Sequence, residues 1–231
     1  MLAAILYDLD GTIVNTDPLH YRVWQKLLQE YDIKIDEEFY KNRMSGRLNP
    51  QIVQDLMPEL SKEAVQQFSA LKEARFREVA GTLTPLPGLL NTIAWATDCG
   101  LKQAVVTNAP RENADYMLKV LNLQTAFARV VVSEELGIAK PDPAPYQYIL
   151  KEFDVNPGEA VAFEDSPSGM RSAVTAGIKT VGIASSQEPA ELYELGAVLV
   201  IPDFTDSKLW ELLGSPNPNN QNQVVGDRSI D

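Results

Sequence analysis

Ala3-Ala4-Ile5-Leu6-Tyr7-Asp8-Leu9-Asp10-Gly11-Thr12 runs from an apolar stretch straight into two acids and a glycine. Read as a strand, its side chains alternate, so Asp8 and Asp10 project to one side and Leu9 to the other. Gly11 lets the chain turn sharply once the strand ends. Two carboxylates then share one small space at the carboxyl end of a strand. An isolated Asp-Gly pair would read as an ordinary turn. What this pair means depends on what the rest of the chain brings to the same place.

Further short, β-branched apolar runs follow at Gln103 to Thr107, Val130 to Val132, Ala160 to Phe163, Thr180 to Ile183 and Val198 to Ile201. Helical patterns separate them at Pro87 to Asp98, Arg111 to Leu121, Pro143 to Phe153, Pro167 to Ala176 and Pro189 to Leu195. Strand and helix in alternation build a parallel sheet covered on both faces. The fold class expected is α/β, a doubly wound, Rossmann-like parallel sheet. Between the first strand and the second, the chain is charged and helix-patterned: Leu19, Val23 and Leu27, then Val53, Leu56 and Met57, then Val65, Phe68 and Leu71 recur at helical spacing. This predicts an all-helical insertion over 16–80, with 1–15 and 81–214 forming the core. Gly81 to Gly88, with Pro85 and Pro87, returns the chain to the sheet. The segment 215–231 is rich in Asn, Gln and Pro and reads as a disordered tail.

The net charge of -12 argues against nucleic acid or an anionic membrane surface as partner, because both are held by lysine and arginine. An anionic ligand must therefore be met by local positive charge. The single cysteine, Cys99, excludes an intrachain disulfide, and Met1 to Leu9 lacks a basic stretch followed by a long apolar one. No apolar run approaches the roughly 18 residues of a membrane span. A soluble protein of the reducing cytoplasm is expected.

Ligands of open parallel sheets bind beyond the carboxyl ends of the strands. Phe163-Glu164-Asp165-Ser166-Pro167 places two more acids at such an end, with Ser166 suited to cap the next helix and Pro167 to begin it. Carboxylates crowded at adjacent strand ends repel one another unless a cation lies among them. Oxygen ligands completed by a substrate phosphate suit Mg²⁺. Val105-Val106-Thr107-Asn108-Ala109 offers a hydroxyl, an amide and backbone donors, and Ala139-Lys140-Pro141-Asp142-Pro143 fixes a lysine in a stiff loop on the same rim.

DLDGT at Asp8 to Thr12, Thr107 after its strand, KPDP at Lys140 to Pro143 and EDS at Glu164 to Ser166 resemble, in order and spacing, the haloacid dehalogenase superfamily. The match spans Leu2 to Leu213, and the insertion resembles that superfamily's helical cap. The resemblance implies Asp8 as nucleophile and Asp10 as general acid and base. The dehalogenases lack this second acid. It implies Mg²⁺ held by Asp8, the Asp10 carbonyl and Asp165, with Glu164 as a further ligand. Thr107, Asn108, Ala109 and Lys140 would hold the phosphoryl group. Asp10 would be protonated to release the leaving group and anionic to activate water. The opposing effects of neighbouring carboxylates and the cation leave that balance open.

The cap should select the substrate, since the core motifs meet only phosphate. Thr16, His20, Gly46, Arg47 and Asn49 are the cap residues expected to face it, while Trp24 belongs to the cap's own core. Asn15 to Pro18, Ile35 to Tyr40, Val106 to Ala114 and Ala162 to Ser166 resemble the small-sugar and glycerol phosphatases of the β-phosphoglucomutase-like branch. Thr16 and His20 are shared with the mutases, but the place of their cap-loop arginine is taken by Asn49. A phosphatase for small phosphorylated metabolites is expected first, a hexose-phosphate mutase second and an inactive binding protein third. Oligomeric state, pathway and physiological ester are left open.

Overall fold

A computed structural model describes residues 1–219. In chain order the elements are β1 (Ala4–Tyr7), α1 (Asp17–Gln29), α2 (Glu37–Arg43), α3 (Asn49–Leu56), α4 (Lys62–Val79), α5 (Leu89–Asp98), β2 (Lys102–Thr107), α6 (Arg111–Val120) and β3 (Arg129–Val132). They continue with α7 (Ser133–Leu136), α8 (Ala144–Phe153), β4 (Ala160–Glu164), α9 (Pro167–Thr175), β5 (Lys179–Ile183), α10 (Pro189–Glu194), β6 (Leu199–Ile201) and α11 (Ser207–Leu213). The six strands form one parallel sheet in the order β3-β2-β1-β4-β5-β6. The strand order reverses between β1 and β4, the position at which such sheets open a ligand crevice.

Strand alternation divides the core. Ile5, Tyr7, Val105, Phe163 and Val181 face one layer, where Tyr7 stacks on Phe163 at 5.5 Å and Phe163 meets Phe204 at 4.9 Å. Ala4, Leu6, Ala104, Val106 and Ala162 face the other, against Tyr146, Ile149 and Phe153 of α8. Small residues on that second face let α8 and α9 lie close to the sheet. Each fully buried aromatic contributes roughly 1.5–3 kcal/mol of apolar transfer.

The insertion has its own apolar cluster, including Trp24, Leu27, Ile52, Val53, Val65 and Phe68. Asp36 accepts from the Phe39 amide at 2.7 Å to start α2, and Ser61 accepts from the Ala64 amide at 3.2 Å to start α4. Val23 of α1 and Phe76 of α4 belong instead to the cluster under the sheet. One expected position differs: Leu71 is exposed, and the buried face of α4 runs Val65, Phe68, Ser69, Lys72, Glu73 and Phe76. The helix turns its charged pair inward because that pair finds polar partners there, described below.

Three helices beyond the expected set appear, α2 within the insertion and two in the core. α7 is a single turn, too short for periodicity, and α11 is capped by Asp206 and buries Leu209 and Trp210. Of the tail expected at 215–231, residues 220–231 lie outside the described residues. Asn219 donates to the Phe204 carbonyl at 3.2 Å and accepts from Asn91 at 2.6 Å. No helix of the described residues is long and apolar enough to cross a membrane.

Candidate active site

The register of the sheet builds the site. Tyr7 lies opposite Val105 and Phe163, so one residue further Asp8 is level with Val106 and Glu164. Neighbours level in a parallel sheet point to the same side. Lys140 reaches across this whole row: its Nζ donates to Asp8 Oδ1 at 2.7 Å, to the Val106 carbonyl at 2.6 Å and to Glu164 Oε1 at 2.6 Å. All three ammonium hydrogens are committed. Burial works against its charge, but Asp8 and Glu164 outweigh this and hold the ammonium pKa above its usual value. The Tyr146 hydroxyl donates to the same Glu164 oxygen at 2.5 Å.

Asp8, Glu164 and Asp165 each bring a carboxylate oxygen within 4.8 Å of the others, all of them buried. Burial raises the Asp8 pKa. Lys140 opposes this, and the charge of Glu164 adds to it. Asp165 is raised by burial and then by Asp8 and Glu164, although Ser186 donates to its Oδ2 at 2.7 Å. Asp165 Oδ1 and Glu164 Oε2 are buried without a hydrogen-bond partner. A cation held by hard oxygen donors would relieve both the repulsion and the orphaned oxygens, so the residues present fit a divalent metal.

Two glycines are required by this crowding. At Gly11, with φ of +80°, a Cβ would lie 2.0 Å from Asp165 Oδ2. At Gly169 it would lie 1.8 Å from Glu164 Oε2. The backbone of the first turn and of α9 therefore forms part of the carboxylates' container. Ser166 caps α9 as expected, accepting from the Gly169 amide at 3.1 Å.

Asp10 stands apart from the acidic trio. Its Oδ1 accepts from Thr16 Oγ1 at 2.6 Å and lies 3.3 Å from His20 Nε2. Lys72 Nζ is 2.8 Å from His20 Nδ1. An ammonium only donates, so Nδ1 is the acceptor and the ring proton sits on Nε2, directed at Asp10. Burial disfavours charge on Asp10, yet the His20 and Thr16 hydrogen bonds and the Lys72 charge outweigh it and hold the carboxyl below its usual range. The balance left open by the sequence thus falls on the anionic side in this arrangement.

The remaining expected contacts divide. Thr107 is buried, and its Oγ1 accepts from the Ala109 amide at 2.9 Å, which occupies that backbone donor. The Asn108 side chain is spent on the Lys140 backbone, donating to its carbonyl at 3.2 Å and accepting from its amide at 3.1 Å. Gly46, at φ of +71°, brings the insertion loop over Ser166. Arg47 borders the cleft, but its guanidinium pairs with Asp55 at 2.7 Å and donates to the Arg43 carbonyl at 2.8 Å. The Asn49 amide donates to Glu73. Together these groups enclose a cleft of about 630 Å³ between the strand ends and the insertion.

Sequence reasoning passed over Lys72, Glu73, Asn113, Tyr146 and Ser186. For Lys72 a signal existed: it stands four residues after Phe68 and four before Phe76, so an unbroken helical stripe includes it and leaves Leu71 out. The other four are brought in by tertiary contacts alone.

Residues 5–183 match the family described as haloacid dehalogenase-like hydrolase. The chain belongs to that family. Within these hydrolases it is 29% identical to a phosphorylated carbohydrates phosphatase of Thermotoga maritima, over 92% of this chain and 100% of that protein. It is 25% identical to a beta-phosphoglucomutase of Bacillus subtilis, over 92% of this chain and 94% of the mutase. Among solved structures it resembles a D10N mutant of CbbY from Rhodobacter sphaeroides in complex with xylulose-(1,5)bisphosphate. The TM-score is 0.77 at 25% identity, covering 88% of this chain and 95% of that one.

Proposed function

We propose that this chain is a Mg²⁺-dependent phosphatase that hydrolyses small phosphate monoesters, sugar phosphates or glycerol phosphates, through an aspartyl phosphate on Asp8. The observation that carries the reading is the row in which Lys140 joins Asp8 to Glu164, with Asp165 beside it. The name of the Thermotoga maritima relative supports the same substrate class.

The helical insertion acts as the cap that closes over the ester. Asp8 attacks phosphorus, and the bond from phosphorus to the alkoxide oxygen breaks as the bond to Asp8 forms. Asp10, anionic in the open site, takes up a proton as the ester binds and gives it to the alkoxide, which leaves as the free alcohol. Now anionic, Asp10 takes a proton from water. The water oxygen bonds to phosphorus, the acyl phosphate bond breaks, and inorganic phosphate leaves with Asp8 restored. Thr16 and His20 hold Asp10 on the side from which proton and water arrive, and Lys140 fixes Asp8 in line. When bound by Asp8, Asp165 and the Asp10 carbonyl, with Glu164 behind them, Mg²⁺ would offset the repulsion between an anionic attacker and an anionic phosphate. Cytoplasmic location accords with the single cysteine.

A mutase is the second reading, favoured by the pairing of Thr16 and His20 with Asp10 and by the Bacillus subtilis relative. Against it, Arg47 is tied to Asp55 and Asn49 to Glu73, which leaves the loop without a free cation for a remote phosphate. Phosphorylated metabolites of two to six carbons, assayed for inorganic phosphate with Mg²⁺ and with EDTA, test the phosphatase. Release that stops on chelation and returns with Mg²⁺ is expected, and full activity in EDTA would overturn the metal role. Glucose 6-phosphate formed from β-glucose 1-phosphate and catalytic glucose 1,6-bisphosphate faster than phosphate is released would promote the mutase.

A further inference from the structure

An ester whose phosphate lies on Asp8 must place its other end among the remaining residues that line the cleft, and Glu73 of α4 is one of them. Glu73 is buried. Its Oε1 receives Lys72 Nζ at 2.8 Å and the Asn49 amide, and its Oε2 receives the Asn113 amide of α6. Burial opposes its charge, but the Lys72 ammonium and the Asn49 hydrogen bond together hold the carboxyl below the usual glutamate range. The group is an anion at neutral pH.

Among the described residues, every lysine and arginine lining the cleft is already matched to an acid. Arg47 pairs with Asp55 at 2.7 Å, Lys72 with Glu73, Arg77 with Glu112 at 2.9 Å, and Lys140 with Asp8 and Glu164. Arg77 also donates to Asn113 Oδ1 at 2.6 Å, so it belongs to the same chain of contacts as Glu73. A second phosphate or a carboxylate entering here would face a buried anion with no unmatched cation to receive it. Repulsion is strongest where water is excluded. Hydroxyl groups meet the opposite situation, because a carboxylate accepts several hydrogen bonds and the Asn49 and Asn113 amides both donate and accept.

We propose that Glu73, held by Lys72, Asn49 and Asn113, is the specificity-determining residue of the cleft: it accepts hydroxyls of an otherwise neutral monophosphate ester and turns away esters that carry a second anionic group. This rests on the phosphatase reading and narrows it to polyol and sugar monophosphates, with bisphosphates and phosphorylated carboxylic acids excluded.

The test compares matched pairs, fructose 6-phosphate with fructose 1,6-bisphosphate and glycerol 3-phosphate with 3-phosphoglycerate, by kcat/KM in the Mg²⁺-loaded full chain. The unaltered protein should prefer the first member of each pair by about tenfold or more. Glu73→Gln should shrink that preference to about threefold or less by gaining on the anionic member, and Glu73→Asp should keep it. Equal use of both members by the unaltered protein, or an unchanged preference in folded Glu73→Gln, overturns the proposal. Should Glu73→Gln fail to fold, Asn113→Asp adds a second carboxylate to the cluster and must widen the preference; no widening overturns it equally. Calorimetric titration of Asp8→Asn with the same four esters reads the preference as Kd, independent of turnover. Phosphate release from none of them defeats the phosphatase reading, whereas equal binding of each pair defeats the role of Glu73.

Discussion

At the scale of single residues the site is a contest between charge and confinement. Asp8 sits among buried acids with one ammonium to share, so an amide in its place would remove the proposed nucleophile and relieve repulsion at once. Asp8→Asn should lower kcat by about a thousandfold or more. In EDTA its melting temperature should equal or exceed that of the unaltered protein; a large drop would mean that the carboxylate is needed for folding. Gly169 carries the complementary lesson. A methyl group there would occupy the space of the Glu164 carboxylate. Displacing Glu164 also displaces its partner Lys140. Gly169→Ala should cost about 1–3 kcal/mol and most of the activity, to be read from chemical denaturation beside a phosphate assay. Unchanged stability would show that Glu164 has somewhere else to go.

At the scale of elements, α4 is the informative helix, since it buries Lys72 and Glu73 and exposes Leu71. Its inward charges are matched across three elements: His20 of α1, Asn49 of α3 and Asn113 of α6. α4 thus meets the sheet core through both the apolar Phe76 and the polar contact between Glu73 and Asn113, while His20 and Asn49 hold its charged pair from within the insertion. Leu71→Ser should change stability by less than about 0.5 kcal/mol, as exposed substitutions do. Lys72→Met leaves Glu73 buried without its cation and should cost about 3–5 kcal/mol. Denaturant titration of the two variants checks both values, and similar losses in each would contradict the assigned helix face. The strand register has the same importance for the core: a shift of one residue in β1 against β4 would part Asp8 from Glu164 and leave Lys140 without its row.

At the scale of the whole molecule, the buried acids couple stability to pH and to metal. The Asp8 carboxyl is raised from 3.8 to about 8, and Asp165 is raised well above 3.8. Below 3.8 both the folded and the unfolded chain carry these protons. Above it the unfolded chain loses them while the folded site retains them, so this contribution to stability is full at low pH and is lost as pH rises towards about 8. A divalent cation held by these acids would take the place of the protons. The difference in melting temperature between Mg²⁺ and EDTA should therefore be larger at pH 8 than at pH 5. An equal difference at both pH values would show that the acids are not the metal site.

The amino-acid sequence by itself determined the sheet, the insertion and the acidic rim. Each of the six strands lies within a residue or two of its expected run, because alternation and β-branching are local properties of the chain. Asp8, Asp10, Thr107, Lys140, Glu164 and Asp165 were legible for a related reason: each stands at or just after an apolar run, and in a parallel sheet the strand ends must converge. The lining of the cleft was decided only by the tertiary structure. Whether Arg47 turns to a ligand or to Asp55, whether Asn108 meets phosphate or the Lys140 backbone, and which partners receive the inward Lys72 and Glu73 depends on residues distant along the chain. A charged side chain can be buried only where such partners already wait for it. No local pattern on α4 announces that His20, Asn49 and Asn113 will be there.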